Sequence, residues 1–156
     1  MSQNGIRLLT QWEGCELKPY KDSADLWTIG VGHLIKNNEL GSGTIRIGGE
    51  SVEWKNGITY EQALDLLAQD LQIFEVAVDR AVNVPLKQHQ FDALTSFCFN
   101  VGARNFRNST LLKKLNLGLY DNIPAQLMRW VYAGGKKVAG LANRRTNEAK
   151  LWRGEI

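Results

Sequence analysis

Two carboxylic acids, Glu13 and Asp22, stand nine positions apart in the segment from Trp12 to His33, and Thr28 follows Asp22 by six at the head of a glycine-punctuated apolar run. Cleavage of an acetal between two sugars requires one carboxyl group to protonate the leaving oxygen and a second to activate water or attack carbon. One local fold of this segment supplies both. Taken singly, each acid has a plainer explanation. Glu13 reads as a surface charge near a helix end, and Asp22, within Tyr20-Lys21-Asp22-Ser23-Ala24-Asp25, as a turn residue that bonds its own backbone. The context raises the pair: the helix carrying Glu13 is followed at once by strand-forming residues that can fold back and bring Asp22 and Thr28 toward it.

The elements that must position these groups are read from periodicity. Ile6, Leu9 and Trp12 recur at helical spacing, which predicts a short helix from Asn4 to Trp12 with Gly14 as its stop. Glu13 then sits at the negative end of the helix dipole, a poor place for a carboxylate and a suitable one for a proton donor. From Leu17 to Gly57 the pattern changes to short strand-like runs. Leu26 to Val31 reads as a strand, and Thr44 to Ile47, Gly48-Gly49 and Glu50 to Trp54 read as a hairpin, so a small antiparallel sheet is expected. Thr59-Tyr60-Glu61-Gln62 has the form of a capping box. Leu64, Leu67, Leu71, Phe74 and Val78 then mark a helix of twenty or so residues, about 30 Å long, which Val84-Pro85 stops. Further helices are predicted over Gln88–Asn100, Ser109–Leu117, Pro124–Tyr132 and Leu141–Trp152, separated by Gly102, Gly118 and Gly134-Gly135. The expected architecture is α+β. A small antiparallel-sheet lobe over residues 14–58 joins, through a connecting helix at 59–80, a mostly helical lobe of 81–156 with 1–13, leaving a cleft between them.

Other motifs are weaker. Gly30 and Gly32 suggest a phosphate loop, but position 35 is Ile and no helix opens after them, so a nucleotide site is rejected. Glycines in a strand mark close approach of another backbone or a ligand. His33 lacks a nucleophile motif around it, and its only companion is His89; a structural histidine paired with Asp70 of the long helix is the favoured reading. Cys15 and Cys98 are far apart and form no C-x-x-C, which argues for two reduced thiols over a disulfide or a metal site. No cofactor and no metal are expected.

At 156 residues and 44% hydrophobic, the chain is long enough for one sizeable core. No run approaches the ~20 apolar residues that span a bilayer, and the first residues lack the marks of a secretory signal. The net charge of +3 is unevenly spread: residues 1–100 hold 8 basic and 13 acidic side chains, residues 101–156 hold 11 and 3. Such asymmetry points to a polyanionic partner for the C-terminal half, nucleic acid or a phosphate-rich bacterial surface layer, or else to a solvated basic face.

Glu13, Asp22 and Thr28 at these offsets, followed by Ile29-Gly30-Val31-Gly32-His33, closely resemble the signature of the phage-type lysozymes of glycoside hydrolase family 24, the endolysins of tailed bacteriophages. The resemblance continues through Gln69-Asp70, Phe99-Asn100-Val101-Gly102, Asn108 to Leu112, Arg129-Trp130, Tyr132 to Gly135, and Gly140-Leu141 to Arg144-Arg145 with Glu148. It implies a lysozyme-like fold and hydrolysis of the β-1,4 bond from N-acetylmuramic acid to N-acetylglucosamine in peptidoglycan. Glu13 would be the general acid, Asp22 the base or electrostatic stabiliser, and Thr28 a holder of the attacking water. An inverting outcome, general in the family, requires carboxyl groups ~6.5–9.5 Å apart. By the same resemblance Leu34, Phe99 and Ser109, the last interchangeable with Thr110, line the substrate site. Arg144 matches an arginine that reaches the catalytic glutamate, and His33 with Asp70 a structural ion pair. Some relatives place a helix where residues 41–57 here read as strand and turn. The implied partner is bacterial peptidoglycan, with no nucleic acid and no stable membrane association. A monomer is expected to wait in the host cytoplasm until a holin opens the membrane to the periplasm and wall.

Two alternatives stand beside this reading. A lytic transglycosylase uses one acid and makes an anhydro product; Asp22 and Thr28 argue against it. A basic nucleic-acid-binding module would use the charge of the C-terminal half with Trp130, Tyr132 and Trp152 for stacking. Those aromatics fit helical core positions better.

Overall fold

A computed structural model describes all residues 1–156. The chain is α+β, with eight α-helices and seven short strands. It forms two compact units, Ile6–Asp70 and Met1–Gly5 with Leu71–Ile156, whose boundaries fall within helices α1 (Gln3–Glu13) and α3 (Tyr60–Ala81).

The unit Ile6–Asp70 contains β1 (Glu16–Lys21), β2 (Trp27–Gly30) and β3 (His33–Leu34), which form one antiparallel sheet in that order. A short helix, α2 (Asn37–Ser42), follows, and then a separate hairpin of β4 (Thr44–Ile47) and β5 (Glu50–Glu53). The single small sheet expected from sequence is therefore two. Residues 41–57 resolve as the end of α2, the hairpin, and a 3-10 turn over Trp54–Asn56. Gly48 and Gly49 both take positive φ, 59° and 83°, the requirement of a two-residue turn that matches strand twist. The core gathers Ile29, Ile35, Ile45, Ile47, Trp54, Ile58, Ala63 and Leu66, and the Trp54 indole N–H donates to the Glu39 carbonyl at 2.9 Å. Helix α3 starts as its capping box predicts: the Gln62 amide donates to Thr59 Oγ1 at 3.1 Å and the Thr59 amide to Gln62 Oε1 at 2.9 Å.

The unit that ends at Ile156 is built around α4 (Gln88–Val101), of which every residue from Asp92 to Cys98 is buried. Helices α5 (Ala103–Arg107), α6 (Thr110–Asn116), α7 (Ile123–Leu127) and α8 (Ala139–Trp152) complete it. Phe97 makes edge-on ring contacts with Phe106 and Trp130 at 6.2 and 5.5 Å. One expected helix is corrected. Residues 124–132 do not form one helix: α7 ends at Leu127, and Tyr132–Ala133 forms β6, paired with Lys136–Lys137 as β7. The cause is Gly134-Gly135, with φ of 58° and 78°, which make a hairpin turn of the kind seen at Gly48-Gly49. Both cysteines are free; burial pushes the Cys98 thiol up to about 11, against the opposing charge of Arg107.

Candidate active site

Glu13 is the last residue of α1 and is exposed. The helix stops there because Gly14 adopts φ 80° and returns its amide to the Thr10 carbonyl at 2.9 Å. Nine residues on, Asp22 opens the turn between β1 and β2. Its Oδ1 accepts the amides of Ala24 and Leu26, each at 2.9 Å, and its own amide donates to the Leu26 carbonyl. The turn-building role expected of an aspartate here is therefore real, yet it consumes one carboxylate oxygen and leaves Oδ2 outside those bonds. Thr28 lies on β2, buried, with its hydroxyl donated to the Leu26 carbonyl at 3.1 Å, so its oxygen faces any further partner as an acceptor.

Sheet register places more side chains beside Thr28. Tyr20 is its partner on β1 and Leu34 its partner on β3, so the three form a row across one face. Ile29 and His33 pair on the opposite face. Burial, and then the charges of Glu16, Asp22 and Glu13, raise the Tyr20 phenol above its ordinary value of 10. Glu13 and Asp22 thus act on one side chain.

His33 is clamped between two acids: Nδ1 lies 2.7 Å from Asp70 Oδ2 and Nε2 lies 2.9 Å from Glu39 Oε1. Glu39 Oε1 also accepts the Lys36 amide at 2.9 Å, which fixes it at the start of α2. Burial opposes the charged ring, but the bonds and charges of Asp70 and Glu39 outweigh it and raise the pKa above 6.5. The protonated ring therefore stabilises the fold fully below pH 6.5, and this contribution is lost as pH rises through the higher folded-state value. Thermal midpoints measured from pH 6 upward should fall in the wild type, and His33→Asn should remove that slope while costing more folded protein than rate per folded molecule. An unchanged slope in the variant would contradict the triad. A recess of about 410 Å³ opens beside it, lined also by Lys36, Arg46 and Gln69. A larger one of about 760 Å³, around His89, Met128 and Trp152, contains none of the candidate catalytic or substrate-binding residues.

With this geometry in place, comparison with known proteins is decisive. The family model described as Phage lysozyme matches residues 10–148. The chain belongs to the phage lysozyme family. The endolysin of Salmonella phage P22 is 40% identical over 149 residues, covering 96% of this chain and 95% of that protein. A crystal structure of a P22 lysozyme variant superposes with a TM-score of 0.83 at 39% identity, covering 98% of this chain and 97% of that one. The endolysin of Bacillus phage PZA is also 40% identical, over 97% of this chain, but the chain spans only 54% of that longer protein. As a phage lysozyme the chain is a lysozyme-type glycosidase of the endolysin kind, and no helix in it is long and apolar enough to cross a membrane.

The remaining residues named from sequence lie in the helical unit of this lysozyme. Arg144 on α8 is buried and donates from Nε to Ser96 Oγ at 3.2 Å and to Glu148 Oε2 at 3.1 Å. Arg145, fully buried, holds Nε 2.6 Å from Glu148 Oε1 and donates from Nη2 to Asn100 Oδ1 at 2.9 Å. Glu148 is itself completely buried; burial drives its carboxyl upward while both arginines and the Ser96 hydroxyl pull it down. Phe99 packs edge-on against Phe74 at 5.3 Å. Ser109 is buried as the N-cap of α6, donating to the Phe106 carbonyl at 2.7 Å and accepting the Leu112 amide at 3.1 Å. Its neighbour Thr110 is exposed and lines a recess with Gln126, Arg129 and Trp130. Sequence reasoning did not single out Glu39 or Arg145. The spacing of Arg144 and Arg145 to Glu148, four and three residues on a helix, was the available signal for the second. Glu39 offered only its place three residues after Lys36.

Proposed function

We propose that the enzyme hydrolyses the β-1,4 bond between N-acetylmuramic acid and N-acetylglucosamine in peptidoglycan by direct attack of water. The observation that carries the reading is the match to the phage lysozyme family over residues 10–148, a span that includes Glu13 at the end of α1, Asp22 in the β1–β2 turn and Thr28 on β2. Glu13 protonates the leaving oxygen. Asp22 Oδ2 and Thr28 Oγ1 are both acceptors toward a water, so the water donates both hydrogens and directs a lone pair at the anomeric carbon. Its proton passes to Asp22 as the new bond forms, and exchange with solvent then resets both acids. Leu34, on the Thr28 row and 48% exposed, offers apolar surface to a sugar; Phe99 and Ser109 are carried as substrate-binding residues by family resemblance. Arg144, His33 and Asp70 support the site by holding its frame.

The enzyme acts as a monomer on peptidoglycan, is held in the host cytoplasm until a holin permeabilises the membrane, and then works in the periplasm. Two of the three aromatics of the nucleic-acid reading are engaged, Trp130 on Phe97 and the buried Trp152 on Tyr120 at 6.4 Å, whereas Tyr132 lies exposed on β6 and not at the helical core position expected of it. A turbidity assay on outer-membrane-permeabilised bacteria tests the proposal. Rapid clearing is expected; absence of clearing together with salt-sensitive binding to oligonucleotides would overturn it.

A further inference from the structure

The Tyr20 hydroxyl is notable for what surrounds it. The residue is 37% exposed, and its phenol makes no hydrogen bond within the protein, whereas the Tyr120 hydroxyl donates to the Pro85 carbonyl at 2.7 Å. It stands in the row Tyr20–Thr28–Leu34. Lys21 and Trp27, the next pair along β1 and β2, belong to the opposite face and satisfy each other, with the ammonium 5.4 Å from the ring centroid. The charged groups that act on the Tyr20 phenol, Glu16, Asp22 and Glu13, are all carboxylates, and the Thr28 hydroxyl gives its hydrogen to the Leu26 carbonyl. A sugar bound there presents acetamido carbonyl and hydroxyl oxygens that these acceptors cannot satisfy.

We propose that Tyr20 is a substrate-binding residue, its phenol donating a hydrogen bond to an acetamido or hydroxyl oxygen of an N-acetylhexosamine seated over Thr28. The inference rests on the assignment of Glu13, Asp22 and Thr28 as the site. The surrounding acids reinforce it, since burial and their charge keep the phenol protonated and therefore a donor over the whole working range of the enzyme. The ring also gives the sugar a partly exposed aromatic edge beside Leu34.

The test is Tyr20→Phe, assayed by steady-state kinetics on soluble, uncrosslinked peptidoglycan strands beside thermal unfolding. Loss of one hydrogen bond to a neutral oxygen should lower kcat/KM about tenfold. The unfolding midpoint should stay unchanged, because the hydroxyl makes no hydrogen bond within the protein, and both limbs of the pH–rate profile should keep their positions, because Tyr20 transfers no proton. A kcat/KM within twofold of wild type overturns the proposal, as does a loss that tracks a fall in the unfolding midpoint. Glu13→Gln run in parallel separates the two levels. If that variant remains active, the underlying site is misassigned. If it is inactive while Tyr20→Phe works at full rate, only the role of Tyr20 fails.

Discussion

Glu13→Gln should abolish wall clearing, with a rate loss of about 10²- to 10⁴-fold and an unfolding curve that superposes on the wild type. The amide keeps the shape of the acid and removes only its ability to deliver a proton to the leaving oxygen. The end of α1 survives the change, since it is terminated by the Gly14 backbone rather than by this side chain. Clearing at a near-normal rate would remove Glu13 as the general acid and, with it, the two-acid account of the site.

The second large effect is on stability. Arg145→Ala should destabilise the fold by about 3–5 kcal/mol, because it strips one partner from a carboxylate with no access to water. Glu148 would keep Arg144 and the Ser96 hydroxyl, the latter donating at 2.6 Å, but would lose the 2.6 Å contact to Arg145 Nε. The guanidinium also stacks over Phe97, with Cζ 5.1 Å from the ring centroid, so packing is lost together with charge. For a chain of this size the unfolding midpoint should drop by roughly 10 °C. Replacing both residues, Arg145→Met with Glu148→Leu, should recover part of the loss, because the buried carboxylate leaves together with its partner while Arg144 keeps its bonds to Ser96. A midpoint for Arg145→Ala within about 2 °C of wild type would show that this network carries little of the stability.

Elements whose signals are local were legible in the sequence. The capping box at Thr59 and the heptad-like run of Leu64 to Val78 gave α3, and Gly48-Gly49 gave the β4–β5 hairpin, because a cap and a two-residue turn are determined by the residues that form them. The β6–β7 pair was missed for the opposite reason. Its strands are two residues long, and their ladder is extended by the Val138 amide reaching the Val131 carbonyl at 2.8 Å, so the alternation that marks a strand never accumulates. Of the site, Asp22 was read both as an acid and as a turn residue; the turn role is seen in the bonds its Oδ1 accepts from Ala24 and Leu26, which leave Oδ2 for the proposed chemistry. Glu39 was invisible because its meaning depends on α2 turning it back onto the Lys36 amide and the His33 ring. Of the eleven basic and three acidic residues after position 100, Arg144, Arg145 and Glu148 are interior partners of one another, which leaves the charge asymmetry of that half nearly as the composition has it.

The central claim, hydrolysis by an acid and a water held between Asp22 and Thr28, is tested most directly by mass spectrometry of peptidoglycan digested with the pure enzyme. The account predicts soluble fragments that end in reducing N-acetylmuramic acid, each carrying one added water. Fragments ending in anhydromuramic acid would contradict it, since that product forms without water and leaves Asp22 and Thr28 without a task.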